Sequence, residues 1–322
     1  MKIKVEELKT LLVQILSSKN YSQEEAEKIA EVLLYAELAG KNTQGILKLF
    51  GTEPAQDIKP QYAAKITKET DLSAVIDGGG AAGPLSAQLG ADKVIEIAEE
   101  KGFGIVGVNN IFSSIGAIGF YVRKMAKRDL IGVVAANSPR SVAPAGGISP
   151  AYGTNPIAFG FPTSTHPIVF DMAASAITWY GLVRAKALGE KLPDNVAMDS
   201  EGNITTDPEA AMKGALLPFD RSHKGSGLAM VVELLAGSLT GASVVFDEGQ
   251  WGATFIAISP ELLIGTEKFK QSSSELVEKV KAGKAKPGAE LRIPGFDAEE
   301  RLKDEEIEIA DEFIQQLKGK IV

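Results

Sequence analysis

The sequence of 322 residues contains no cysteine and only two histidines, His166 and His223. The absence of cysteine excludes disulfides, thiolate metal sites and a cysteine nucleophile. Two histidines cannot form a multi-histidine centre, so no metal site is predicted. Long apolar runs are also missing. The most apolar window, 228–246, contains Glu233 and two glycines and is too broken to span a bilayer.

Basic charge is in deficit, with 34 Lys and Arg against 42 Asp and Glu, a net charge of −8. Such a surface repels nucleic acid unless a basic patch stands out, and none does. Glu6 and Glu7 lie where a signal peptide would need an apolar core, and the apolar residues around them follow helical spacing. These features favour a globular cytoplasmic protein with no nucleic-acid or membrane partner.

Hydrophobic patterns divide the chain into three parts. Residues 1–66 predict an N-terminal helical segment, in which Ser22 and Glu25 have capping-box spacing at the start of the second helix. Residues 67–296 alternate short apolar runs with helical stretches, which predicts an α/β domain with helices layered against a sheet. Residues 297–322 predict a C-terminal helical segment.

The pattern also predicts individual elements of the α/β domain. Strands are expected at 72–76, 104–108, 130–135, 157–161, 168–171, 253–258 and 290–293, and helices at 85–100, 116–126 and 227–239. The last of these helices is apolar over most of its length, so it is expected to pack in the interior.

A glycine-rich segment, GGGAAG at 78–83, has the form G-x-G-x-x-G between a predicted strand and helix. In a Rossmann unit these glycines approach a pyrophosphate, and an acidic residue at the end of the next strand binds the ribose. Here that strand ends in Asn109 and Asn110. The segment is therefore interpreted as a glycine-rich turn, not as a dinucleotide fingerprint.

Three charged residues stand in loops or at element ends where a ligand could approach. Arg140 lies in a glycine- and proline-rich loop and could bind a carboxylate or phosphate, or be an ordinary surface arginine. Asp171 ends an apolar strand before small residues. Lys224 precedes an apolar helix, where a cation is favourable only if an anion is bound nearby. Each could also be a turn residue with no role in binding or catalysis. His166 is interpreted as a surface histidine.

The order of several motifs resembles the type-2 malate/L-lactate dehydrogenase family, which includes sulfolactate and ureidoglycolate dehydrogenases, diketogulonate reductase and piperideine-2-carboxylate reductases. The motifs are GTNP at 153–156, DMAAS at 171–175, GNITTDP at 202–208, LLPFDRSHKGSGLA at 216–229, LTGA at 239–242 and RIPG at 292–295. The resemblance implies an α/β fold with a layered mixed sheet that binds dinucleotides without a Rossmann unit. It also implies a homodimer, to which the helices of residues 5–37 are expected to contribute contacts.

The resemblance implies that NAD or NADP lies along one strand and reaches the start of a later helix, with the loop after Pro294 closing over it. No residue that reads the ribose can be placed, so NAD and NADP stay open. The implied cofactor-binding residues are Pro167, Ile168, Val169, Phe170, Asp171, Met172, Ala173, His223, Lys224 and Gly295.

The sequence departs from the family at its catalytic positions. Gln44, in NTQGILKL, stands where the family has a histidine that exchanges a proton with the substrate oxygen, and Ser114 stands at a second family histidine. Glutamine does not titrate, and a serine hydroxyl is a poor general acid. By the resemblance, Lys48 corresponds to the basic residue that binds the substrate carboxylate in relatives. Arg140 is a second candidate for binding that carboxylate. RIPG is followed by Phe296, where a glutamate is common.

These features predict an NAD(P)-dependent oxidoreductase that acts on a small 2-oxo, 2-hydroxy or imino carboxylate. The predicted catalytic residues are Gln44, Lys48, Ser114 and Arg140. One alternative is a reductase specific for C=N bonds, because an iminium is already protonated when hydride arrives. The other is a catalytically silent dinucleotide-binding protein.

Overall fold

The computed structural model describes residues 1–19, 21–50, 57–58, 60–246 and 249–320. Its strands are β1 Lys2–Lys4, β2 Lys65–Glu69, β3 Ser73–Asp77, β4 Phe103–Ile111, β5 Ile131–Ala136, β6 Ile157–Phe161, β7 Ile168–Met172, β8 Ala197–Met198, β9 Ala215–Leu216, β10 Trp251–Ile258 and β11 Glu306–Glu308. Its α-helices are α1 Val5–Ser17, α2 Gln23–Leu38, α3 Gly83–Lys101, α4 Gly119–Ala126, α5 Trp179–Leu188, α6 Pro208–Lys213, α7 His223–Glu233, α8 Thr266–Lys281, α9 Phe296–Arg301 and α10 Asp311–Lys318.

The centre of the molecule is a seven-stranded mixed sheet in the order β2-β3-β4-β10-β5-β6-β7. Strands β3 and β4 pair in parallel, and every other neighbouring pair in this sheet is antiparallel. Strand β10 comes from the C-terminal third of the chain and lies between β4 and β5. The expected layered mixed sheet is thus confirmed.

Close packing fixes β10 in this central place. Ala253, Phe255 and Ala257 are fully buried on one face of the strand. The ring of Phe255 packs edge-on against Tyr121, with 5.7 Å between the ring centroids. Gly90 of α3 lets the helix approach, since a Cβ there would lie 2.7 Å from Val108 Cγ2. Substitution of such core residues costs several kcal/mol because interiors are tightly packed.

The two ends of the chain meet in one unit. Strand β1 pairs antiparallel with β11, with Ile3 opposite Ile307. Helices α1 and α2 bury their apolar faces together with Phe313, Ile314 and Leu317 of α10. The N-terminal segment therefore completes its core within its own chain. Its expected contribution to dimer contacts stays a prediction, as does the division of the chain at residues 66 and 296.

Most predicted elements exist, with boundaries shifted by a few residues. The capping box of α2 is confirmed, because Ser22 Oγ accepts from the Glu25 N–H and the Glu25 carboxylate accepts from the Ser22 N–H. The predicted strand at 290–293 is wrong, since these residues join no ladder. Described residues contain no helix that is long and apolar enough to cross a membrane.

The helix predicted at 227–239 exists, but the expectation that it packs in the interior is wrong. Helix α7 ends at Glu233 and continues as one π-helical segment, Leu234–Ser238. Its inward side consists largely of small residues, while Met230 and Leu234 are 50% and 55% exposed. Apolar residues lie on all sides of this helix, so hydrophobicity alone could not distinguish its inner face from its outer face.

The glycine-rich turn at 78–83 packs against protein backbone. A Cβ on Gly79, which has φ +66°, would lie 2.1 Å from the carbonyl oxygen of Tyr62. A Cβ on Gly83 would lie 2.4 Å from the carbonyl oxygen of Ser114. These glycines are needed because the chain itself fills the space beside them, in agreement with the interpretation as a turn.

A buried carboxylate holds the loop that follows α2. Glu37 is 4% exposed, and its Oε1 and Oε2 accept hydrogen bonds from Ile46 N at 2.7 Å and Asn42 Nδ2 at 2.6 Å. Gly45 must lack a side chain, since its Cβ would lie 2.1 Å from Glu37 Oε1. The Gln44 backbone is thereby fixed between two anchored positions. Burial raises the pKa of Glu37, although the hydrogen bonds from Asn42 and Ile46 oppose this shift.

Replacement of Glu37 by alanine leaves the buried Ile46 N–H without an acceptor and removes the hydrogen bond from the exposed Asn42 side chain. We expect Glu37→Ala to lower the free energy of unfolding by about 1–3 kcal/mol, measured by urea denaturation. Glu27→Ala on the exposed side of the same helix is the control and should change it by less than about 0.5 kcal/mol. Equal effects of the two substitutions would contradict the anchoring role.

The raised pKa of Glu37 gives this prediction a pH dependence. The folded state binds the Glu37 proton more tightly than the unfolded state, so this stabilisation is fully present below the usual pKa of 4.5. It is lost as the pH rises through the folded pKa. Relative to Glu37→Gln, the wild type should therefore lose stability from about pH 4.5 upward. Parallel stability curves for the two proteins would show that Glu37 does not titrate in this way.

Candidate active site

One cavity of about 320 Å³ contains all four predicted catalytic residues. Gln44 and Lys48 come from the two short 3₁₀ helices after α2, Asn42–Gln44 and Ile46–Leu49. Ser114 comes from the loop after β4, and Arg140 from the loop after β5. Residues almost 100 positions apart thus line one enclosed space beside the sheet.

Gln44 and Ser114, the two residues expected at the family's histidine positions, contact each other. The Ser114 hydroxyl donates to Gln44 Oε1 over 3.4 Å, and it accepts from the Gly116 N–H at 3.2 Å. Ser113 Oγ accepts from the Gly83 N–H at 2.9 Å and so ties this loop to the start of α3. The result is a neutral hydrogen-bonded pair in the cavity.

Three cations line the same cavity at other points, and two of them, Lys48 and Arg140, were predicted from the sequence. Lys48 is 6% exposed, and its Nζ lies 3.4 Å from the centroid of the Tyr180 ring. Arg140 is exposed, and its backbone N–H donates to the Phe246 carbonyl at 2.8 Å. Both positions suit a carboxylate ligand, Lys48 as a point charge and Arg140 as a planar fork.

A buried carboxylate also organises the loop that contains Arg140. Glu233, 4% exposed, accepts from Asn155 Nδ2 at 2.7 Å, Asn137 Nδ2 at 3.2 Å and the Val245 N–H at 2.9 Å. Asn155 has φ +40°, a left-handed conformation that asparagine tolerates better than most residues. This network fastens the two ends of the loop to α7, which explains the asparagine in the GTNP motif.

Asp171 lies where the catalytic cavity meets a second cavity of about 240 Å³. Its Oδ2 accepts from the Gly119 N–H at 3.0 Å, and its carbonyl oxygen accepts from Lys41 Nζ at 2.9 Å. Burial raises the pKa of the Asp171 carboxyl, and the Lys41 ammonium and the Gly119 N–H oppose the shift. Lys41 and Asp171 line both cavities, so a ligand could extend from one into the other.

The predicted cofactor-binding residues divide between these cavities and the surface. Met172 and Ala173 line the catalytic cavity with Asp171, while Val169, Phe170 and Gly295 line the second. Pro167 and Ile168 line neither. His223 and Lys224 are exposed in the first turn of α7, and they also lie outside both cavities.

Two backbone N–H groups in the first turn of α7 already donate hydrogen bonds to side chains. Ser222 Oγ accepts from the Lys224 N–H at 3.1 Å, and Asp220 Oδ1 accepts from the Gly225 N–H at 2.9 Å. Since side chains already satisfy these amides, an anion at this end of the helix would have to be bound by the side chains of His223 and Lys224.

Gly295 and Phe296 are explained by contacts within the chain. Gly295 has φ +88°, and a Cβ there would lie 2.8 Å from Val169 N. Next to it the Val169 N–H donates to the Pro294 carbonyl at 3.0 Å. Phe296 packs edge-on against His166, with 5.7 Å between centroids. His166 itself is 3.0 Å from Glu300, a partly exposed pair in agreement with a surface histidine.

Sequence reasoning missed several residues of the site. Lys41, Tyr180 and Trp251 line the catalytic cavity, and Glu37 and Glu233 position its loops. Glu37 could have been noticed as a charged residue on the apolar side of an amphipathic helix. No pattern in the sequence signalled Tyr180, because its contact with Lys48 joins residues 132 positions apart.

Comparison with known proteins gives strong matches over the whole chain. A family model described as malate/L-lactate dehydrogenase matches residues 3–318. The L-sulfolactate dehydrogenase of Methanothermobacter thermautotrophicus is 34% identical, covering 99% of this chain and 96% of the relative. The ureidoglycolate dehydrogenase (NAD(+)) of Escherichia coli O157:H7 is 31% identical, covering 98% and 95%. The Δ1-pyrroline-2-carboxylate/Δ1-piperideine-2-carboxylate reductase of Pseudomonas putida is 32% identical, covering 97% and 94%.

Solved structures agree with this result. A dehydrogenase from Sinorhizobium meliloti superposes with a TM-score of 0.90 at 27% identity, covering 100% of this chain and 98% of the other. The fold, the order of motifs and the full-length family match coincide. The protein therefore belongs to the malate/L-lactate dehydrogenase family of oxidoreductases.

Proposed function

We propose that the protein is a nicotinamide-dependent reductase of small carboxylates, and that it prefers a C=N bond to a C=O bond as hydride acceptor. The observation that carries this preference is the hydrogen-bonded pair of Gln44 and Ser114 in a cavity that Lys48 and Arg140 also line. NAD or NADP supplies the hydride when bound. The residues of the chain bind the carboxylate, orient the acceptor and exclude water.

Lys48 and Arg140 hold the substrate carboxylate in this proposal. Charge-assisted hydrogen bonds from a cation to a carboxylate are shorter and stronger than neutral ones. Both side chains line the same cavity, and Lys48 is buried, where electrostatic attraction is less weakened by water. One carboxylate fixed at this end leaves the adjacent carbon free to face the hydride donor.

The neutral pair selects for an acceptor that does not require a proton from the enzyme. Hydride addition to a ketone leaves an alkoxide, and loss of general acid help at this step typically costs about 10²–10⁴ in rate. An iminium is protonated before hydride arrives and yields a neutral amine. Gln44 and Ser114 can offer it hydrogen bonds, which is all that such a substrate requires.

A further finding supports the proposal. One relative is named a reductase of Δ1-pyrroline-2-carboxylate and Δ1-piperideine-2-carboxylate, which are cyclic imino acids. The same neutral pair also supports the alternative of a catalytically silent dinucleotide-binding protein. An assay that measures turnover separates the two.

We expect reduction of Δ1-piperideine-2-carboxylate to exceed reduction of pyruvate or oxaloacetate by about 10²-fold or more in kcat/KM. Absorbance at 340 nm from pH 6 to 9, with NADH and NADPH, measures both reactions. The double change Gln44→His with Ser114→His should raise pyruvate reduction, because an imidazole can protonate the alkoxide.

Brisk reduction of pyruvate by the wild type, with a bell-shaped pH profile near neutrality, would contradict the role of the neutral pair. Asp171, whose pKa is raised by burial, would then be the first residue to test as the acid. Cofactor binding without turnover of any of these substrates would favour the silent alternative.

The nicotinamide cofactor is proposed to lie along β7, from the catalytic cavity past Asp171 into the second cavity. The residues present fit such a group, because β7 is an edge strand whose Phe170 is 41% exposed and the two cavities adjoin. Arg292 of the second cavity supplies positive charge for a phosphate, and Lys224 of α7, outside both cavities, is proposed to contact the part of the cofactor that extends beyond them. A relative named as an NAD(+) enzyme supports the cofactor class.

The location is proposed to be cytoplasmic, and a sequence without cysteine fits this proposal.

Either NADH or NADPH should raise the melting temperature. Mass action gives about 2.7 kcal/mol of stabilisation at a ligand concentration of 100 times Kd. Lys224→Ala should reduce the shift without lowering the melting temperature of the ligand-free protein, whereas Lys9→Ala on the exposed side of α1 should leave the shift unchanged. The cofactor assignment fails if millimolar concentrations of both dinucleotides leave the melting temperature unchanged.

A homodimer is proposed to form through the outer face of α7 and the π-helical segment. Met230, Val231, Leu234 and Leu239 are 49–57% exposed and form an apolar surface in the part of the chain that the structure describes. Contiguous apolar surface of this kind is typical of protein interfaces. Since the apolar faces of α1 and α2 are buried within the chain, α7 is the more favourable contact surface.

Light scattering should give about twice the chain mass of 34.1 kDa at micromolar concentrations. Met230→Glu combined with Leu234→Glu should shift the protein to the monomer mass, because two carboxylates would have to be buried in the interface. Ile66→Glu, an exposed apolar residue on the edge strand β2, is the matched control and should stay dimeric. A wild-type monomer would contradict the proposed dimer.

A further inference from the structure

One aromatic residue, Tyr180, contacts both the Lys48 ammonium and the backbone shortly after it. Its Nζ lies over the Tyr180 ring, 3.4 Å from the centroid, and both residues are more than nine-tenths buried. The Tyr180 hydroxyl donates to the carbonyl oxygen of Phe50, two residues after Lys48, at 3.3 Å. Tyr180 therefore contacts both the ammonium and the backbone of the segment that carries it.

The position of Tyr180 is itself fixed by the start of α5. Thr178 is the N-cap residue of this helix, and its Oγ1 accepts from the Gly181 N–H at 3.1 Å. Tyr180 is the second residue of the helix, so its side chain leaves from a rigid turn. Lys48 lies in a 3₁₀ helix whose first residue, Ile46, is bonded to Glu37. Two anchored elements meet at the ammonium.

A lysine in a carboxylate site needs such support more than an arginine does. Its ammonium is a point charge on a flexible four-carbon stem, whereas the guanidinium is a planar fork that aligns itself with a carboxylate. A cation over an aromatic face is attracted by the ring quadrupole, and the attraction grows when water is excluded. The Tyr180 ring thus restricts the ammonium to one location before a ligand arrives.

We propose that Tyr180 is a positioning residue that holds the Lys48 ammonium toward the substrate carboxylate. This inference rests on the proposed role of Lys48 in carboxylate binding. Tyr180 acts through Lys48, so it should affect the affinity for the carboxylate but not the hydride step. Its hydroxyl secures the backbone near Phe50, while its ring supplies the electrostatic hold.

A double-mutant cycle tests this inference, with oxamate as a carboxylate probe that cannot be reduced. Its Kd is measured by calorimetry on the full chain with saturating NADH. Tyr180→Leu should weaken oxamate binding about tenfold, and Tyr180→Phe, which keeps the ring, by less than about threefold. Lys48→Met should weaken binding at least as much, and Lys48→Met with Tyr180→Leu no further than Lys48→Met alone. Tyr62→Leu removes an exposed pair, with Lys65 Nζ 4.9 Å from the ring, and should leave the Kd unchanged.

Unchanged oxamate affinity in Tyr180→Leu would overturn the inference. So would a Tyr180→Leu effect that persists in the Lys48→Met background, because Tyr180 would then act on the ligand directly. In kinetic assays with a reducible substrate the loss should appear in KM, with kcat unchanged. A fall in kcat alone would contradict a positioning role.

A spectroscopic measurement keeps the test independent of the proposed function and of substrate identity. In protein labelled with 13Cε-lysine, the Lys48 resonance, assigned through Lys48→Arg, should be shifted upfield by the ring current of Tyr180. The shift should persist in Tyr180→Phe and disappear in Tyr180→Leu. If the wild type binds no oxamate, the proposed substrate class is contradicted. The Lys48 resonance alone then tests whether the Tyr180 ring holds the ammonium. If the Lys48 chemical shift is the same in the wild type and in Tyr180→Leu, the ring does not hold the ammonium and the inference is overturned.

Discussion

The geometry of the catalytic cavity depends on the buried carboxylate of Glu37. Its two oxygens accept from Asn42 and Ile46, on either side of Gln44, and they occupy the space that a side chain at residue 45 would need. These hydrogen bonds offset part of the desolvation cost of the buried carboxylate, whose pKa stays raised. One charged residue on an amphipathic helix thereby fixes where both Gln44 and Lys48 enter the cavity.

The sequence predicted the parts of the fold that local pattern determines. The capping box of α2, strand β6 and the alternation around α3 and α4 follow from neighbouring residues. It did not predict that β10 lies between β4 and β5, because that pairing joins distant segments. It also gave the wrong environment for α7, where small residues face inward and long apolar ones outward.

The candidate site shows the same limit. Gln44, Lys48 and Ser114 were expected from the resemblance to a family and Arg140 from its glycine- and proline-rich loop, and all four line one cavity. The residues that hold them were not expected, because their roles arise from contacts across the fold. Tyr180 reaches Lys48 from another helix, and Glu233 reaches the GTNP loop from a third. Such supporting residues have no fixed spacing from the residues they serve.

The pairing of β1 with β11 has a consequence for synthesis on the ribosome. Helices α1 and α2 are synthesised long before Phe313, Ile314 and Leu317, the residues with which their apolar faces pack. At a translation rate of about 5–20 residues per second, the nascent N-terminal helices wait on the order of fifteen seconds or more for these partners. During that interval the faces of α1 and α2 that later pack against α10 are exposed, and they are apolar surface of the kind that chaperones bind.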